Sequence, residues 1–111
     1  MKQLLDLKVG DTVYLYGLVC LADKSEVFIH REVNIVKVTP RFNLVTGETA
    51  SGIKHVIKAN EGTVYRNLLW LTEDDLPKAK LILIENYNRK IDIAKHDIAL
   101  LQDRIELISE S

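Results

Sequence analysis

From Lys78 to Ser111 the chain contains neither glycine nor proline, and this constrains its fold more than any other feature. Both residues break helices, proline by removing a backbone donor and glycine through backbone entropy. The apolar residues of the segment recur at heptad spacing. With Ile84 as position a, the a positions are Ile84, Ile91, Ile98 and Ile105, and the d positions are Tyr87, Ala94, Leu101 and Ile108. All eight are apolar or aromatic, the pattern of an oligomerising coiled coil. The spacing predicts one long helix over residues 73–111, acting as the oligomerisation segment. Leu81-Ile82-Leu83-Ile84 is apolar all round, so the root of the helix, around Leu76 to Ile84, is expected to pack on the rest of the chain. Ile93, Leu100 and Leu107 form a second stripe at position c and widen the apolar face.

Such a seam requires a partner. A homodimer is the expected state, ahead of a higher oligomer, a helix folded back on its own chain, or a foreign protein. The flanking charges do not choose a geometry. In a parallel dimer Lys90 faces Lys95 of the partner, and in the in-register antiparallel dimer Lys90 approaches the partner's Arg104.

Residues 1–72 read as a small β-barrel domain. Thr12 to Leu21 alternates, with Val13, Leu15, Val19 and Leu21 on one face and Tyr14, Tyr16, Leu18 and Cys20 on the other. Gly17 in mid-strand signals a bend. Glu26 to Thr39 is a second strand whose apolar parity switches between Ile35 and Val36, which predicts a bulge there. Arg41 to Val45 reads as a short third strand and residues 46–52 as a loop. Ile53 to Ala59 alternates as a half-buried strand with a basic outer face, and Thr63 to Leu71 is a fifth strand. Thr72 with Asp75 resembles a capping box at the helix start, although Pro77 then lies one position too deep. The fold class is therefore α+β: an SH3-like antiparallel barrel of about five strands, followed by one long helix forming a coiled coil.

At 47% apolar and 28% charged residues the composition is that of a folded domain rather than a disordered chain. Residues 1–76 carry nine Lys/Arg against ten Asp/Glu, and residues 77–111 carry six against six, so no half has the basic excess of a DNA-coating protein. The single cysteine, Cys20, excludes an intrachain disulfide and reads as a buried small hydrophobe. The polar N-terminus and the absence of a spanning apolar run lead us to expect a cytoplasmic protein with no membrane partner.

No catalytic or metal-binding pattern emerges, and neither an enzymatic activity nor a cofactor is expected. His30, His55 and His96 lie on three different elements without ligand spacing. His55 reads as a satisfied core or interface residue, and Trp70 as a plug between barrel and helix. The basic residues Lys37, Arg41, Lys54, Lys58 and Arg66 form the candidate partner-binding face. With Tyr14, Tyr16, Phe42, Tyr65 and Trp70 as stacking groups, the same face offers an alternative role in binding nucleic acid.

Several stretches carry a resemblance. Leu7-Lys8-Val9-Gly10-Asp11-Thr12-Val13-Tyr14 is followed by Val33-Asn34-Ile35-Val36-Lys37-Val38-Thr39 and by Phe42 with Thr46-Gly47-Glu48. Leu69-Trp70-Leu71-Thr72-Glu73-Asp74-Asp75 then leads into the charged helix. In this order the chain resembles small proteins encoded by phages and prophages of Firmicutes, in which an SH3-like barrel carries a C-terminal helix. The resemblance implies an accessory protein inside the bacterial host that binds a host or phage protein. Anti-defence proteins, including anti-CRISPR inhibitors, belong to this class. It carries no functional residue over to this chain.

Overall fold

The computed structural model describes residues 1–110. Five strands and one long helix follow in chain order: β1 (Thr12–Cys20), β2 (Glu26–Thr39), β3 (Leu44–Glu48), β4 (Lys54–Ile57), β5 (Leu68–Leu71) and α1 (Leu76–Ser109). The strands form one antiparallel sheet in the order β4-β3-β2-β1-β5. The sheet curls without closing, since β4 and β5 are not hydrogen-bonded to each other. The fold is α+β.

The sheet separates two apolar clusters. Val13 and Leu15 of β1 join Val33, Ile35, Val45, Ile57 and Trp70 in the larger one. Leu4, which opens a short 3-10 turn over Leu4–Asp6, and Leu7, which follows it, cap that cluster from the N-terminus. The opposite face of β1 and β5 supplies Tyr16, Leu69 and Leu71 to the second cluster, where they meet Ala79 and Leu83 of α1. Strands β1 and β5 are thus covered on both sides, which explains why residues 68–71 are apolar without alternation.

The expected bulge is present: the β2–β3 register shifts between Ile35 and Lys37, leaving Val36 as the extra residue. The expected third strand is displaced. Pro40–Phe42 form a 3-10 turn, and Asn43 takes a left-handed conformation before β3 begins at Leu44. Thr46, Gly47 and Glu48 consequently belong to β3 rather than to a loop. Glycine suits this strand position because a Cβ on Gly47 would crowd the Val33 side chain at about 3.0 Å. The fifth strand is shorter than expected. Tyr65 and Leu68 exchange two backbone hydrogen bonds around Arg66 and Asn67, both at positive φ, so a two-residue turn precedes β5.

Gly17 bends β1 against β5. Its φ is +146°, and a Cβ there would overlap the Asn67 carbonyl oxygen, which accepts a hydrogen bond from the Leu18 N–H. Cys20 is exposed rather than buried, because it pairs with Glu26 at the turn end of the β1–β2 hairpin. Trp70 is fully buried in the larger cluster, and its indole N–H donates to the Ala59 carbonyl at 2.7 Å. It therefore joins β5 to the strand-exit segment after β4, while Leu69 and Leu71 perform the helix contact expected of it.

The helix cap is Asp75, not Thr72. The Asp75 carboxylate accepts from the Lys78 N–H, which leaves Pro77 in the first turn, where its missing N–H costs nothing. Thr72 instead donates its N–H and hydroxyl to Glu61, and Glu61 also accepts from the Lys2 N–H.

Candidate functional site

Two surfaces stand out once the fold is in place. The first is the distal part of α1. Its root is anchored: Ala79 and Leu83 are buried, and the Tyr87 hydroxyl donates to the Asn67 side chain at 2.7 Å. Residues 88–110 are exposed without exception. Ile91, Ile98, Leu101 and Ile105 are 50–64% exposed, Ile108 is 74% exposed and Ala94 is also exposed. At 100° per residue, Ala94, Leu101 and Ile108 fall within about 20° of Leu83 around the helix. The face buried against the sheet at the root therefore continues outward as an exposed apolar stripe. The eight expected seam residues divide accordingly. Tyr87 packs on its own sheet, Ile84 is 58% exposed beside the root, and the remaining six line the overhang. Ile93, Leu100 and Leu107 are exposed along the neighbouring stripe.

The second surface is a cleft of about 320 Å³ at the opening between β4 and β5. Val56, Ile57, Leu68 and Trp70 give it an apolar wall, and Lys58 and Arg66 supply its charge. Arg66 lies at positive φ in the turn before β5, with its guanidinium 5.6 Å from the Tyr65 ring centroid. Of the five expected basic residues, only Lys58 and Arg66 line this cleft. Lys37 lies opposite Thr46 in mid-sheet, Lys54 opens β4, and Arg41 sits in the 3-10 turn over Phe42. Tyr16 and Trp70 are fully buried and unavailable for stacking, whereas Phe42 and Tyr65 are exposed. The turn that carries Arg66 to the cleft was not foreseen. Its signal is the Arg-Asn pair between two apolar positions, a weaker mark than Asn-Gly.

A polar cluster joins the sheet to the helix entrance. The Tyr16 hydroxyl donates to Asp74 at 2.7 Å and accepts from the Asp75 N–H at 2.9 Å. His30 stacks on the Tyr16 ring, and its Nε2 lies 2.6 Å from the same Asp74 oxygen. Burial and the Asp74 hydrogen bond push the Tyr16 hydroxyl up to about 12, so it is a neutral anchor near pH 7 rather than a base. The Tyr16 hydrogen bond, with burial opposing it and the neighbouring His30 adding to it, holds Asp74 below the usual carboxylate range. His55 is half-buried and lies 2.9 Å from an Arg31 guanidinium nitrogen, with burial and the Arg31 charge both lowering its pKa. His30 and His55 thus hold structural contacts, and His96 lies exposed on the distal part of α1. Among the described residues no three His, Cys, Asp or Glu side chains come together as a metal-ligand set.

Among the described residues no helix is long and apolar enough to cross a membrane. No protein-family model, no curated protein and no solved structure matches the chain.

Proposed function

We propose that the protein is a non-enzymatic assembly and binding module. In this reading an SH3-like barrel is carried on a coiled-coil helix, the helix joins two copies, and the barrel meets a protein partner at the β4–β5 cleft. The observation that carries it is the apolar face of α1, which runs from a buried root onto a wholly exposed distal half. Exposed apolar stripes of this length mark interaction sites. The cleft has apolar walls and two cations, so an extended partner segment mixing apolar and acidic residues suits it. A phage-type accessory role, including an anti-defence one, draws its support from the sequence pattern alone.

Sedimentation of the intact chain tests the reading. Ile91→Asp/Ile98→Asp places two charges in each seam and is expected to give a monomer with an intact sheet. A wild-type chain that stays monomeric at micromolar concentration would sink the proposal. A second reading places single-stranded nucleic acid in the same cleft, favoured by Lys58 and Arg66 beside the exposed Tyr65. Oligonucleotide binding that falls steeply with salt and disappears in Lys58→Glu/Arg66→Glu would establish this second reading over the first.

A further inference from the structure

We infer that the second copy binds the distal helix antiparallel, in the one register where paired residue numbers sum to about 199. This rests on the proposed self-association and specifies its geometry. The argument starts from where the sheet ends. Tyr87 is held by Asn67 and by the second cluster, so the partner helix cannot occupy the face beneath it. The surface left for pairing is the overhang, residues 88–110. Aligning that overhang with its own reverse puts the end of the partner helix at the point where the sheet stops. The partner then continues, under the same helix, the layer that the sheet begins.

The core of this alignment is complementary in size. Ile98 meets the partner's Leu101, Ile91 meets the partner's Ile108, and the small Ala94 meets the partner's Ile105. Each layer occurs twice by symmetry.

The charges select the same register. Asp97 and Arg104 both occupy position g, at the edge of the seam. Three and four residues away, Asp97 has only Ile93, Ala94, Leu100 and Leu101, and Arg104 has only Leu100, Leu101, Leu107 and Ile108. Neither therefore has an ionic neighbour on its own helix, and the one ion pair among the described residues is His30 with Asp74. In this register Asp97 lies beside the partner's Arg104, twice over. Sliding one heptad toward the sheet sets Lys90 against Arg104 and Asp97 against Asp97. Sliding one heptad outward sets Arg104 against Arg104. The parallel arrangement sets Lys90 against Lys95, and Lys90 is already drawn over the Tyr87 ring, 5.4 Å from its centroid. The wider charge pattern agrees. Residues 89–96 carry three Lys/Arg and one acid, and residues 103–110, their opposites in this alignment, carry three acids and one arginine.

Two measurements on the full chain test the inference. Spin labels at the outward positions, in the Arg89→Cys, His96→Cys and Asp103→Cys variants with Cys20→Ser, report pairwise distances in the dimer. The register gives axial label separations of about 30 Å at position 89 and about 10 Å at both 96 and 103. Equal distances at all three positions would mean parallel helices. A shorter distance at 96 than at both others would mean overlap one heptad longer. Either result overturns the register while leaving self-association intact, whereas a monomer defeats both. Independently, Asp97→Arg and Arg104→Asp are each expected to weaken association about tenfold, and the double variant to recover it. A double variant weaker than either single one would overturn the pairing.

Discussion

Tyr16 carries an unusual share of the joint between sheet and helix for one residue. Its ring is fully buried, its hydroxyl ties Asp74 and Asp75, and Asp75 caps α1. Tyr16→Phe keeps the ring and removes both hydrogen bonds. It is expected to lower stability by about 1–2 kcal/mol, read from the midpoint of urea unfolding. The titration sign follows from the raised hydroxyl pKa. The contribution of Tyr16 is complete below the ordinary tyrosine range near pH 10 and is lost as pH rises through about 12. Asp74, with a lowered pKa, contributes above the carboxylate range and loses that contribution as pH falls through its folded value. His55 is also lowered, so its contribution is present above about pH 6.5 and fades as acid protonates it beside Arg31. Chemical unfolding at pH 7 and pH 5 is expected to show a smaller acid loss in His55→Gln than in the wild type. At Gly17 the constraint is steric. Gly17→Ala adds a methyl against the Asn67 carbonyl at positive φ, with an expected cost of roughly 2–5 kcal/mol in thermal unfolding.

Helix α1 has a buried root and an exposed distal half. Leu83→Ala removes a buried side chain from the joint with β5 and is expected to cost about 2–4 kcal/mol of unfolding stability. Ile98→Ala truncates a side chain that is 54% exposed in the single chain. It is expected to leave that stability within about 0.5 kcal/mol and to weaken association instead, a separation that paired unfolding and sedimentation would show. The heptad rows made the long helix and its apolar stripe legible in the sequence, because periodicity survives any tertiary context. The point at which the stripe leaves the sheet was not legible, since Tyr87 and Ile91 are equally apolar and only the position of Asn67 tells them apart. The strands followed the same rule. The parity switch at Ile35-Val36 revealed a bulge, whereas Thr46-Gly47-Glu48 resembled a loop because its glycine answers to Val33 on another strand. The cleft was hidden for a similar reason, since Lys58 and Arg66 meet only after the curl of the sheet and the turn at Arg66-Asn67 bring them together.

At the scale of the molecule the described chain measures 64 × 32 × 27 Å, and its long dimension is set by the helix. The sheet and the root form one body, and a chain of this size has the surface to support one compact core and little more. The overhang beyond that core also fixes a distance. About 33 Å of helix projects past the sheet, and in the proposed antiparallel dimer two such arms would hold their clefts at opposite ends of a stiff rod. A target that repeats its binding segment at the rod's spacing would engage both ends, and the second contact would form at a high effective concentration. A target with more closely spaced segments would engage only one. In the proposed dimer the length of the helix would act as a ruler, selecting partners by the interval between their sites as well as by the chemistry of each one.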